Sequence, residues 1–154
     1  MGTMTTTHAA QIADLINERN QLVKRYTLSD ILARSADFEY DIIDNRIVAC
    51  VEVRKVQWYQ WEVCHLSVQP DLEGRGLGAQ MVRRAEDRAV KDGAKVIQCT
   101  IRADNTPSMR VFAKQGFKQV SAFYYNATGN NVTVWQKVVS PHAEPIPESN
   151  RPLA

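Results

Sequence analysis

Residues 62–78 read Glu-Val-Cys-His-Leu-Ser-Val-Gln-Pro-Asp-Leu-Glu-Gly-Arg-Gly-Leu-Gly, an alternating apolar run that stops at a proline and enters a loop with glycine at three of five positions. Gly74, Gly76 and Gly78 carry no Cβ, so the backbone there can take positive φ or approach a ligand closely. A helix expected over Ala79 to Asp92 follows at once. Strand, glycine loop and helix in that order direct unpaired backbone N–H groups and the positive end of a helix dipole at one small volume. A phosphate group suits such a volume.

Local spelling separates the families that use such a loop. A nucleoside-triphosphate loop needs Lys followed by Ser or Thr after its last glycine, and Ala79-Gln80 stand there instead. A dinucleotide fingerprint matches loosely as Gly74-x-Gly76-x-x-Ala79, but it requires its first glycine straight after the strand, and Pro70 to Glu73 intervene. The segment resembles the pyrophosphate loop of the GNAT N-acetyltransferase superfamily, Arg/Gln-x-x-Gly-x-Gly/Ala after a strand that ends in a Val-x-Pro-like turn. Val68-Gln69-Pro70, Gly76 and Gly78 fit, while Glu73 stands where Arg or Gln is usual. A second block, Asn105 to Phe117, is similar to the family's next helix and its closing Gly116-Phe117.

The resemblance implies an α/β fold: a central mixed, mostly antiparallel sheet of six or seven strands flanked by about four helices. It implies acetyl-CoA as acyl-donor cosubstrate, an amine acceptor, direct transfer and no metal. Coenzyme binding then falls to Leu66, Ser67 and Val68 at the strand end, to Glu73, Gly74, Arg75, Gly76, Leu77, Gly78 and Ala79 in the loop, and to Asn105 and Phe112. Asn105 reads equally as a helix cap. Glu62 resembles the acidic residue that many members carry beside the thioester, a general base for an ammonium of pKa about 10; a solvated strand-edge carboxylate is the other reading. His65 is a second candidate base, placed by strand alternation on the face opposite Glu62. Phe112 occupies the position of a tyrosine that many members use as proton donor, and a phenyl ring donates no proton. Tyr124 or Tyr125 reaches the site instead, or water does; simple packing at a hairpin edge is the alternative for that pair. Trp58, Tyr59 and Trp61 form an acceptor wall, cover an exposed sheet edge or make a dimer contact. A non-catalytic acyl-CoA-binding or protein-interaction module on the same fold is the competing function.

The elements that must position these groups are legible from periodicity. Ile12, Leu15, Ile16, Leu22, Val23 and Tyr26 recur at helical spacing, predicting a helix over Ala9 to about Arg25, and Leu28 to Arg34 predicts a short second one. Phe38 to Ile43, Ile47 to Val56 and Trp61 to Val68 read as strands, as do Val96 to Arg102, Lys118 to Tyr125 and Val132 to Val139. The order ααβββαβαββ lacks a first strand, for which Met4 to Thr7 is the available segment. Residues 1–8 therefore read as an extension or short strand, 9–139 as the acyltransferase domain, and 140–154, with four prolines, as a tail or an arm on a neighbour in a homodimer.

Composition fits one compact domain. A chain of 154 residues with 44% hydrophobic content buries roughly two thirds of its unfolded surface. No apolar run approaches the roughly 18 residues of a membrane span and no signal peptide opens the chain, so a cytoplasmic protein is expected. A net charge of +2 gives no case for nucleic acid. Cys50, Cys64 and Cys99 sit singly in strand-like runs and read as buried free thiols; His8, His65 and His142 are too scattered for zinc.

Overall fold

The alternating runs pair into one six-stranded sheet in the order β1-β2-β3-β4-β6-β5. In the computed structural model, which describes residues 3–20 and 24–139, the elements are α1 (Thr6–Arg19), α2 (Leu28–Ala33), β1 (Phe38–Ile43), β2 (Arg46–Gln57), β3 (Gln60–Val68), α3 (Leu77–Lys91), β4 (Val96–Arg102), α4 (Thr106–Lys114), β5 (Lys118–Tyr125) and β6 (Asn130–Val138). Every neighbouring pair is antiparallel except β3 and β4. The expected fold class and the order of elements are those observed.

Both faces of the sheet are covered. On one, Met81, Val82, Ala85 and Ala89 of α3 and Phe112 of α4 pack on Val51, Val53, Val63, Ile97 and Ile101. On the other, Ala9, Ile12, Ala13, Leu15 and Ile16 of α1 meet Phe38, Tyr40, Ile47 and Cys50. This double cover explains why Ile47 to Val53 is buried without interruption.

The first strand expected at Met4 to Thr7 is replaced by the start of α1. The Thr5 side chain accepts from the His8 amide at 3.1 Å, capping a helix that begins at Thr6. β-branched threonines favour strands weakly, whereas the cap contributes about 1 kcal/mol and burial of Ile12 and Ile16 about 1.5–3 kcal/mol each. The helix also stops earlier than its periodicity predicts. Asn20 Nδ2 donates to Ile16 O at 2.9 Å and to Ser67 Oγ at 2.8 Å, closing the last turn and tying it to β3. Leu22, Val23 and the tail 140–154 lie outside the described residues.

Helix α3 is clasped to both sides of the sheet. Arg84 pairs with Glu39 and Asp41 of β1, Arg88 pairs with Glu39, and Glu86 receives Lys137 of β6 at 2.7 Å. Its first turn is seated more closely still: a Cβ on Gly78 would lie 3.8 Å from Val68 and 3.9 Å from Val111.

Candidate active site

Strands β3 and β4 are held together at Gln60↔Val96, Trp61↔Ile97 and Glu62↔Gln98, and there the pairing ends. Beyond Glu62 the two strands part, and a cavity of about 310 Å³ occupies the opening. Val63, Cys64, His65 and Leu66 line one side, and Cys99, Thr100, Ile101 and Arg102 the other. Parallel strands that separate leave backbone donors and acceptors free along their inner edges, ready for an extended ligand. Glu62 lines this cavity beside Arg54, its cross-strand neighbour on β2.

Alternation places His65 on the face away from Glu62, and the structure corrects this. His65 has φ of 56°, and the β2–β3 register shifts between Cys50 and Glu52, across from Cys64 and Ser67. Such a bulge inserts a residue and re-aims the side chains after it. Trp61 and Val63 point into the α3 core before the bulge and Leu66 and Val68 pack there after it, so the period-two pattern is broken at His65. Glu62 and His65 consequently line the same cavity.

The re-aimed imidazole meets residues that periodicity had not marked as functional. Tyr26, which follows α1, has its hydroxyl 2.9 Å from His65 Nε2, and its backbone is fixed by two 2.8 Å bonds with the Asn17 side chain. Glu52, 1% exposed, lies 3.8 Å from His65 Nε2 and 3.6 Å from Arg34 Nη1, ion-pair distances beyond hydrogen-bond reach. Burial lowers the His65 pKa to about 4, with Arg54 and Arg34 adding to the effect, so the ring is neutral near pH 7. Burial also raises Glu52 above the usual carboxylate range, and raises Tyr26 with help from Glu52. His65 was legible as a site residue; Tyr26, Arg54 and Glu52 were not, lying 20 or more positions before Gly74 in sequence and carrying no motif.

The glycine loop lies at the far end of β3 from Glu62, reached along Leu66, Ser67 and Val68. Gly74 and Gly76 both have φ of 79°, and Gly76 is the left-handed N-cap of α3. Among the described residues the backbone amides of Gly74, Arg75, Gly76, Leu77, Gly78 and Ala79 have no backbone acceptor. They form a set of donors at a helix N-terminus. Glu73 points its carboxylate to Arg19, which also lines the cavity. The residue that departs from the family pattern is thereby neutralised by a partner 54 positions away in sequence.

The other predicted residues divide. Asn105 lines the cavity and also caps α4, its Oδ1 accepting from the Ser108 amide at 3.3 Å. Phe112 lines the cavity with its ring packed edge-on against Phe117. Ser67 is 2% exposed and its hydroxyl is engaged, accepting from Asn20 and donating to His65 O. Tyr124 and Tyr125 do not line the cavity: β5 is an edge strand exposed along its whole length, so alternation there turns neither ring inward. The expected aromatic wall is also absent from the cavity. Trp61 is in the core, and Trp58, 70% exposed, meets Tyr59 edge-on at the β2–β3 turn. All three cysteines are free; burial pushes Cys50 and Cys64 up to about 12 and raises Cys99 as well, leaving no thiolate near neutral pH. No group of His, Cys, Asp and Glu with metal-binding geometry occurs among the described residues, and no helix there is long and apolar enough to cross a membrane.

Comparison with known proteins gives a consistent result. The chain superposes on yncA of Salmonella typhimurium, solved with its cofactor acetyl-CoA, at a TM-score of 0.78 and 18% identity, over 94% of this chain and 96% of that one. The ribosomal-protein-S18-alanine N-acetyltransferase of Escherichia coli superposes at 0.73 with 15% identity, over 94% and 96% of the two chains. At these identities the likeness is one of fold. In sequence, the tRNA(Met) cytidine acetyltransferase TmcA of Aeropyrum pernix is 34% identical over 98 residues, 61% of this chain and 13% of that protein. The mycothiol acetyltransferase of Clavibacter sepedonicus is 31% identical over 67 residues, 44% and 22% of the two. The chain thus spans less than a quarter of either relative. The sequence model of the acetyltransferase (GNAT) family matches residues 10–117, and the chain belongs to that family.

Proposed function

We propose that the protein is an N-acetyltransferase that moves an acetyl group from acetyl-CoA directly to an amine, within a ternary complex and without a covalent enzyme intermediate. The observation that carries this reading is one juxtaposition. An opening between parallel strands, lined by Glu62, leads along Leu66 to Val68 to a loop whose amides at Gly74 to Ala79 lack backbone acceptors.

The roles follow from what each group offers. Amides of Gly74 to Ala79 and the α3 dipole hold the pyrophosphate. The freed backbone edge of β3 at Val63 to Leu66 aligns the extended arm of the coenzyme, with Asn105 and Phe112 across the opening. Glu62 takes the proton that the amine releases as its nitrogen bonds to the thioester carbon. As the C–S bond breaks, the thiolate needs one proton, which Phe112 cannot supply. Of the hydroxyl-bearing residues that line the cavity, Tyr26, Thr100 and Ser108, only the first carries a phenol, by far the strongest acid of the three, and we assign the donation to it. The high-pKa thiols of Cys64 and Cys99 are poor nucleophiles, which favours direct transfer over an acetyl-cysteine.

Family membership leaves the acceptor open, since relatives carry names as different as tRNA(Met) cytidine acetyltransferase and mycothiol acetyltransferase. Thiol release from acetyl-CoA across a panel of amines tests the proposal, alongside calorimetry of acetyl-CoA binding. Amine-dependent release with sequential kinetics is expected. Tight acetyl-CoA binding with no release for any amine would leave a non-catalytic acyl-CoA-binding module, and ping-pong kinetics would overturn direct transfer.

A further inference from the structure

The charges around the cavity sort into pairs with one remainder. Arg19 is taken by Glu73, Arg34 by Glu52 at 3.6 Å, and Arg102 Nε by Asp104 at 3.4 Å. Arg54 and Glu62 remain. They are cross-strand partners on β2 and β3, and both line the cavity. Side chains so placed have Cβ atoms about 5 Å apart and ordinarily form an ion pair. Here neither makes a hydrogen bond, or an ion pair within 4 Å, with any described residue. Glu52, the other carboxylate near Arg54, is buried and lies between Arg34 and His65. A second donor in the same cavity also lacks a partner: Arg102 Nη1 is buried and makes no hydrogen bond.

An adjacent cation and anion that face a cavity unpaired are complementary to a ligand carrying both charges close together. We propose that the acceptor is a small free α-amino acid, bound with its amine at Glu62 and its carboxylate at Arg54. For its chemistry this inference rests on the acetyl-transfer reading. The amine and carboxylate of an α-amino acid share one carbon, which matches two head groups presented side by side from neighbouring strands. A guanidinium grips a carboxylate through two parallel bonds, which also fixes the amine against Glu62. A plain alkylamine would satisfy Glu62 but leave Arg54 without an anion. A peptide N-terminus has its first carboxyl tied up in an amide and offers Arg54 a neutral carbonyl. The reaction balances from the charged ligand: the ammonium gives one proton to Glu62 to become the neutral nucleophile and a second as its nitrogen gains the acetyl carbon, the departing thiolate takes up one proton, and one is released to solvent overall.

The test compares free L-amino acids with their primary amides and with the corresponding decarboxylated amines. Two readouts are taken: thiol release from acetyl-CoA, and calorimetric binding to the protein saturated with CoA, where no transfer occurs. Free acids are expected to exceed their amides by about tenfold to a hundredfold in kcat/KM and in affinity, the range of a charge-assisted bidentate contact. In Arg54→Gln that ratio falls to about one, and in Arg54→Lys it is partly kept. Equal use and equal binding of acids and amides would overturn the proposal, as would a ratio that survives in folded Arg54→Gln, or no binding of any member of the panel. Should Arg54→Gln fail to fold, the wild-type ratio alone decides. Selective binding of acids with no turnover would sustain this inference while sinking the transferase reading. Turnover of amides and simple amines without preference would do the reverse.

Discussion

Arg19, in the last turn of α1, forms an ion pair with Glu73 of the glycine loop. The two side chains are 35% and 54% exposed, so the pair contributes little to stability, on the order of 0.2–1 kcal/mol. Its weight is local: an acidic residue beside a proposed pyrophosphate site has its charge cancelled. Arg19→Ala should weaken acetyl-CoA binding several-fold, Glu73→Gln should not, and the double variant should return most of the loss. Calorimetry of this cycle at low and moderate salt checks it. If Arg19→Ala binds acetyl-CoA as the wild type does, Glu73 lies too far from the phosphates to matter.

Gly76→Val should nearly abolish acetyl-CoA binding in a folded protein. A Cβ at Gly76 meets nothing within 4 Å, so the defect arises from the left-handed φ of 79° and not from a clash. Gly76→Asn, whose side chain tolerates that region better, should bind more tightly than the valine variant. Equal affinities for the two variants would mean that loop conformation does not set binding.

Replacing Glu62 by Gln keeps size and removes the proton acceptor. A fall in kcat of roughly 10²–10³-fold with little change in acetyl-CoA affinity is expected. The acidic limb of the kcat/KM profile should vanish, and amine supplied at high pH should recover much of the rate. Wild-type kcat with the acidic limb intact would return the base to His65 or to water.

Tyr26→Phe keeps the ring against His65, 4.7 Å between centroids, and removes only the hydroxyl. If that hydroxyl protonates the leaving thiolate, kcat falls by about 10²-fold while KM for acetyl-CoA holds. Unchanged kcat would assign the proton to water.

His65 makes stability depend on pH in a defined window. The folded imidazole, with its pKa near 4, stays neutral where the unfolded one, near its ordinary value of about 6.5, takes up a proton. The unfolded chain therefore binds more protons between those limits, and the contribution is complete above about pH 6.5 and lost as pH falls toward 4. Glu52 has the opposite sign: its raised pKa stabilises the fold below its unfolded value, and this is lost as pH rises through the folded one. His65→Asn suits the left-handed backbone and does not titrate, so the difference between it and the wild type isolates the imidazole. Melting temperature should depend less steeply on pH between about 4 and 6.5 in the variant. Equal slopes would mean that His65 titrates as it does in the unfolded chain.

The parts of the molecule that sequence made legible are those governed by local rules. Apolar period, the proline before the loop and the glycines after it define β3, the loop and α3, and Asn105 followed by Pro107 marks the start of α4. What stayed hidden depends on long-range packing. A left-handed histidine has no signature, so the inversion of faces at His65 is invisible to alternation. Tyr26 and His65 are 39 positions apart, and only the docking of α1 on β3 through Asn20 and Ser67 unites them. For Tyr124 and Tyr125 the missing fact was that β5 is an edge strand whose residues are exposed from end to end.

The clasps on α3 bear on how quickly a coenzyme is captured. Three ion pairs reach β1 and one reaches β6, so the helix that presents Gly76 to Ala79 is braced against both sides of the sheet. The four amides from Gly76 to Ala79, held in place by the helix before any ligand arrives, require little ordering entropy on binding. Acetyl-CoA capture on the proposed reading then requires no slow repositioning of α3 ahead of diffusional encounter.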